Sequence, residues 1–317
     1  MKNISYWFDL PYVPRNPLVQ NIETDVVVVG GGITGVSAAY HSVKAGFKTV
    51  LIERDFIASG PAGKNGGMVV EGLDIDFIEA IELFGEEQAI EAWQRTIDAR
   101  ECVVSLIKDS QIDCDFFRTG SLYVTSKLED ISILQYELQE RERVGFRGKI
   151  TSQFNPKKQC LFVENDCSLH PVKFIRSLVE KSGLLVYEQT SALSFDMNTV
   201  TTPHGIVRAK KVIVAVESNK TDLAEDYGMV ERELALVTEP LSDKDFSILS
   251  WNLGGMFWTT GSSYTTARKI ENRLFLNESI DMNPSEEELA KVQDKVMQKF
   301  LALAPNLSKD KLVVSHR

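Results

Sequence analysis

Residues 25–54 read Asp-Val-Val-Val-Val-Gly-Gly-Gly-Ile-Thr-Gly-Val-Ser-Ala-Ala-Tyr-His-Ser-Val-Lys-Ala-Gly-Phe-Lys-Thr-Val-Leu-Ile-Glu-Arg. The β-branched run 26–29 suits a buried parallel strand. Gly30, Gly32 and Gly35 follow it at the G-x-G-x-x-G spacing. The first glycine turns the chain sharply out of the strand. The second lets a pyrophosphate approach bare backbone, and the third lets the next helix sit close on the sheet. That helix carries Val36, Ala39, Tyr40 and Val43 on one face, with Gly46 placed as its stop. Its first N–H groups are free to meet an anion. A second strand, 49–52, ends in Glu53, where a carboxylate can accept hydrogen bonds from a ribose. Strand, glycine turn, helix, strand and acid agree on a dinucleotide fold. The pattern leaves FAD and NAD both open, and the acid argues against the 2′-phosphate of NADP.

Composition narrows the class. The 317 residues are 43% hydrophobic and 25% charged, the balance of a globular chain long enough for two domains. Lysine and arginine number 35 against 45 acids, for a formal charge of −10. That balance gives no basic footprint for nucleic acid and mildly favours a cationic substrate. No apolar run reaches membrane-spanning length, and the polar start is no signal peptide. The four cysteines, 102, 114, 160 and 167, form no C-x-x-C pair. Free thiols, a reducing cytoplasm and no metal site are the expectation.

Outward from the fingerprint, residues 1–24 read as an irregular arm broken by Pro11, Pro14 and Pro17 and packed down by Tyr6, Trp7 and Phe8. Residues 59–68, Ser-Gly-Pro-Ala-Gly-Lys-Asn-Gly-Gly-Met, hold too much glycine for a plain linker and suggest backbone passing close to a ligand. Helical spacing predicts a helix over 86–108, with Ile90, Trp93, Ile97 and Val104 inward. Ser126 and Glu129 form a capping box before a charged helix read as a solvated cap element. Pro171 opens a further helix that Gly183 ends. Strands are predicted over 184–187, 191–195 and 212–216, and the aromatic-rich stretch 227–280 suits a mostly antiparallel sheet. Pro284, Ser285 and Glu288 start a last helix, and 311–315 reads as a strand. The fold class is α/β, a Rossmann-like dinucleotide-binding domain, FAD-binding if the resemblance below holds, with a second α+β substrate domain. The expected division is 1–73 and 151–226 for the nucleotide domain, and 74–150 and 227–317 for the substrate domain.

With these residues in view, the chain resembles the D-amino-acid oxidase-like FAD-dependent oxidoreductases, near the γ-glutamylputrescine, glycine and sarcosine oxidase branches. Ser5-Tyr6-Trp7, the fingerprint, residues 59–68 and the strand 212–216 carry the likeness. The resemblance implies that Gly30, Gly32, Ile33, Thr34 and Gly35 hold the pyrophosphate, Glu53 the ribose, and that Arg54 lies by the adenine. It implies that Ser59, Gly60, Lys64, Asn65, Gly66, Gly67 and Met68 line the flavin and its phosphates. Ala192 would contact adenine through its backbone, and Ala215 would close over the FAD. The cofactor would be non-covalent FAD, because no cysteine follows Cys167 where some relatives attach the flavin. The implied chemistry is hydride transfer from an amine or amino-acid carbon to flavin N5, giving an imine.

Departures from the family pattern are as informative. The C-terminal segment that family members aim at the flavin is expected to be absent, since the chain stops near 314–317. Glu271-Asn272-Arg273 stands at the usual Asp-Gly-Arg turn, and Asn277-Glu278 replaces a Gly-Gly. Tyr264 and Arg268 are the candidate substrate-positioning residues. His170, in a Leu-His-Pro turn, is read as structural. Two readings stay open: an amine or amino-acid oxidase or dehydrogenase, or a catalytically impaired FAD-binding or interaction protein. The second includes a homo-oligomer or a subunit completed by a partner chain. A nicotinamide dehydrogenase ranks third, because it has no need of the second glycine loop.

Overall fold

The computed structural model describes residues 4–124, 131–155, 158–216, 232–249, 255–259, 265–280, 285–304 and 307–316. In chain order, a 3-10 turn at Tyr6–Phe8 precedes β1 (Ile22–Val29), α1 (Ile33–Lys44), β2 (Thr49–Ile52) and β3 (Met68–Val69). Next come α2 (Phe77–Phe84), α3 (Glu86–Asp109), β4 (Phe117–Arg118), β5 (Ser121–Val124) and α4 (Ile131–Arg143). These lead to β6 (Lys149–Asn155), β7 (Lys158–Val163), β8 (Cys167–Ser168), α5 (Pro171–Ser182) and β9 (Leu185–Tyr187). The remainder is β10 (Ser194–Phe195), β11 (Thr199–Thr202), β12 (Gly205–Val214), β13 (Arg232–Thr238), α6 (Asp243–Leu249), β14 (Met256–Thr259), β15 (Thr265–Ile270), β16 (Arg273–Ile280), α7 (Glu286–Leu303) and β17 (Val314–His316).

The first sheet runs β10-β11-β12-β1-β2-β9, with β12, β1, β2 and β9 all parallel. Its central strand is buried on both faces, which is why Val26, Val27, Val28 and Val29 form an unbroken apolar run. One face takes α1 and α5, through Val36, Ala39 and Tyr40 against Phe174, Ile175 and Leu178. Pro171 starts α5 and Gly183 ends it with φ +70. The second sheet runs β17-β13-β16-β15-β14-β5-β7-β6, antiparallel except where β14 meets β5. Val296 and Phe300 of α7 pack on one face of it. Ser285 and Glu288 form the reciprocal capping box that starts α7.

Some details differ from expectation. Strand β7 pairs with β5 and β6 pairs with β7, so 149–163 belongs to the second sheet and not to the nucleotide sheet. The short α2 escaped notice because its eight residues give barely two turns over which a helical face can repeat. Helix α4 is not simply solvated: Glu137 and Arg141 are buried and ion-paired at 2.7 Å. The capping box at 126 and 129 lies outside the described residues. His170 caps α5, its Nδ1 accepting from the Lys173 N–H, and burial pushes its pKa down to about 4, so it is neutral. The four cysteines are free, and no described helix is long and apolar enough to cross a membrane.

Candidate functional site

The carboxyl ends of β1, β2 and β12 converge on the glycine turn, the position where open α/β sheets bind nucleotides. Gly30 leaves β1 with φ +112, and a Cβ there would lie 2.4 Å from the Ala215 carbonyl oxygen. The turn therefore accepts only glycine. Gly35 presses on the turn from the other side, where a Cβ would come within 2.0 Å of the Gly30 oxygen. In front of Gly32 the nearest heavy atom to a Cβ is that of Ala62, at 3.7 Å. No side chain caps α1, so the first N–H groups of Ile33, Thr34 and Gly35 face that space. Glu53 is already oriented: its Oε2 accepts from the Gly31 N–H at 2.6 Å and its Oε1 from the Asp55 N–H at 2.8 Å. Ala215 returns alongside, its N–H donating to the Val29 carbonyl at 2.8 Å.

The second glycine loop is tied to this turn. The Ala58 N–H donates to the Gly31 carbonyl at 3.0 Å. Within the loop, Asn65 Oδ1 accepts from the Gly67 N–H at 2.8 Å and its amide donates to the Ala62 carbonyl at 2.9 Å. Ser59 and Lys64 share a cleft of about 820 Å³ with Arg54, Gln189, Ser5 and Phe8. Arg54 is exposed there and pairs with Asp55 at 3.4 Å. A Cβ at Gly60 would meet nothing within 4 Å. Met68 opens β3 and pairs with Ser168 of β8. Ala192, two residues after Thr190 donates its N–H to the Glu53 carbonyl, packs against the far side of the first sheet.

Arg268 lies under this loop. Its Nη1 donates to the carbonyls of Gly66, Gly67 and Leu169 at 2.8, 2.8 and 2.7 Å. Burial lowers its pKa to about 9, so it remains a cation near neutral pH. Tyr264 lies outside the described residues. The structure thus brings together residues 30–35, 53, 59–68 and 215, and sets Arg268 against the loop's backbone.

Residue-type reasoning passed over several supports. Trp7 Nε1 donates to the Asn65 carbonyl at 2.7 Å, and Ser5 Oγ to the Gly63 carbonyl at 2.8 Å. The Trp7 ring stacks on Phe275 and lies edge-on to His170. Glu188, fully buried, accepts from the Ile57 N–H at 2.7 Å and from the Tyr12 hydroxyl, strapping the arm to the end of β2. The sequence cues were the run of aromatics in a proline-rich arm and the Ser5-Tyr6-Trp7 start.

The geometry fits FAD on grounds of this chain alone: bare backbone at two loops, an uncapped helix start and a pre-oriented carboxylate. Comparisons agree. Over 246 residues the chain is 31% identical to the γ-glutamylputrescine oxidoreductase of Escherichia coli (strain K12), covering 72% of this chain and 56% of that protein. A glycine oxidase from Geobacillus kaustophilus superposes with a TM-score of 0.69 at 15% identity, over 92% of this chain and 80% of the other. An L-amino acid deaminase from Proteus vulgaris gives 0.68 at 18% identity, over 94% and 78%. These last two likenesses establish the fold. The chain spans about half the length of the curated relatives it matches. The family model described as DAO, FAD dependent oxidoreductase, matches residues 25–316, and the chain belongs to that family.

Proposed function

We propose that this chain oxidises the C–N bond of an amine or amino acid. The observation that carries the reading is the meeting of two glycine loops, built for FAD, with one face of a sheet from the second half of the chain. Residues 30–35, Glu53 and 59–68 hold the cofactor in this reading, as its proposed ligands. FAD held there would supply a two-electron acceptor for the hydride of the amine-bearing carbon; the iminium left behind loses a proton to solvent, and water hydrolyses the imine to a carbonyl compound and free amine or ammonia. The protein's own residues do the positioning. Phe275 and Trp7 exclude water beside the loop, and β15 and β16 supply the wall against which a substrate is held.

A second reading, an FAD-binding chain without turnover, draws support from Arg268. Its Nη1 is spent on three backbone carbonyls, which suits a structural strut better than a substrate contact. A visible spectrum of the purified chain, followed by anaerobic addition of amines and amino acids, separates the two. Flavin bands that bleach with one compound are the expected result. Bands that no compound bleaches would leave the second reading, and a chain that FAD cannot colour would overturn both.

A further inference from the structure

The face of the second sheet turned toward the flavin loop is ordered by its strand register. Arg268 of β15 pairs with Phe275 of β16, and both touch the loop: a Cβ at Gly66 would lie 3.7 Å from Phe275 Cε1. Two residues along each strand, roughly 7 Å away, Thr266 pairs with Asn277 on the same face. Both side chains are 4% exposed. Neither Thr266 Oγ1 nor Asn277 Oδ1 has a hydrogen-bond partner. The amide's orientation is fixed, because Asn277 Nδ2 donates to the Glu233 carboxylate at 2.6 Å and a carboxylate only accepts. The unfilled atom is therefore an acceptor, beside a hydroxyl that can also accept. Folded chains rarely leave two adjacent buried polar atoms empty without a use.

We propose that Thr266 and Asn277 form a subsite for a second polar group of the substrate, an N–H donor carried as an ammonium or an amide. The inference rests on the amine-oxidation reading and adds the far end of the substrate to it. Asn277 stands where the family pattern has glycine, so the acceptor is a feature of this chain's own sequence. Two oxygen acceptors side by side suit an ammonium or amide N–H and offer nothing to a methyl group. Glu233 acts as a positioning residue that keeps the Asn277 oxygen toward the site.

The test uses FAD-loaded chain, titrated anaerobically with pentylamine and with 1,4-diaminobutane, which has the same shape but a terminal ammonium in place of methyl. Calorimetry reads affinity, and the visible band reads oxidation separately. The diamine should bind about tenfold tighter, the usual gain from a hydrogen bond to a charged group. Asn277→Leu and Thr266→Val should each shrink that ratio toward unity. N-acetyl-1,4-diaminobutane distinguishes the donors: binding as tight as the diamine means an amide suffices. A wild-type chain without preference, or a preference that survives both substitutions, overturns the subsite. Should Asn277→Leu lose FAD, the nearly isosteric Thr266→Val carries the test. If both amines bleach the flavin and bind equally tightly, the subsite falls and the oxidation reading stands. If the diamine preference holds while nothing bleaches, the oxidation reading falls and the subsite stands.

Discussion

Gly67 shows how little freedom the second glycine loop has. Its φ is +63, and a Cβ there would lie 2.2 Å from the Leu169 oxygen and 2.4 Å from Arg268 Nη1. Gly67→Ala should cost about 1–3 kcal/mol by overpacking and strip FAD during gel filtration, read as a lower ratio of visible to ultraviolet absorbance. Gly60→Ala, with φ −78 and no protein atom in the way, should keep the stability of the fold. Arg268→Met removes the donor shared by three buried carbonyls, a loss of about 3 kcal/mol or more, measurable as a lower urea midpoint. At this scale the fingerprint was readable because its logic is local: Gly30, Gly35 and Glu53 act on one another within a single βαβ unit. Arg268 was singled out by residue type, and its three carbonyl partners were not foreseen. Its partners lie far off in sequence, Gly66 and Gly67 by 202 and 201 residues and Leu169 by 99, and only the fold brings them together. Thr266 and Asn277 are ordinary strand residues until the register of β15 and β16 pairs them.

Among elements, the N-terminal arm acts as a brace for the second glycine loop. Trp7→Phe keeps most of the apolar contact with Phe275 but leaves the Asn65 carbonyl without its donor. The expected result is a stability loss of about 1–2 kcal/mol and a faster release of FAD, followed by flavin fluorescence after dilution. The arm's packing was expected from its aromatics, whereas its hydrogen bonds to Gly63 and Asn65 were invisible, since no spacing rule links residues so far apart. Helices α1, α3, α5 and α7 were legible because caps and apolar stripes are local signals. The burial of Arg100, Glu137 and Arg141 was not, because charges on a helix read as solvent-facing until partners such as Glu71 and Asp166 arrive from other elements. The place of β6 and β7 in the second sheet was hidden for a related reason: β7 pairs with β5, and β6 with β7, through a connection that composition cannot trace.

Across the whole molecule, two buried groups titrate in opposite senses. Burial raises the pKa of Asp166 to about 6, although Ser121, the Glu71 N–H and Arg100 all favour its charged form. Its contribution to stability is full below the unfolded value and is lost as pH rises through about 6. His170, held down to about 4, does the reverse: its contribution is full above the unfolded value and is lost as pH falls through about 4. Between roughly pH 4 and 6 the two proton differences cancel. His170→Asn, which can still cap α5, should expose the Asp166 slope, with stability falling across that window relative to wild type. Asp166→Asn should expose the opposite slope on a lower baseline, since Arg100 loses a buried partner. Urea midpoints at several pH values read both, and parallel curves for wild type and variants would refute the compensation.

The parallel sheet also sets an order in time. Strand β1 bonds to β2 on one side, a neighbour made almost at once, and to β12 on the other, with Val29 opposite Val214. At about 5–20 residues per second on the ribosome, β1 waits on the order of ten seconds or more for that partner. Such long-range closure makes folding slow. Until β12 arrives, the Ala215 carbonyl that walls in Gly30 is missing and the edge of β1 lies open. The fingerprint is translated well before β12 and becomes a place where a nucleotide can rest only once that strand has docked.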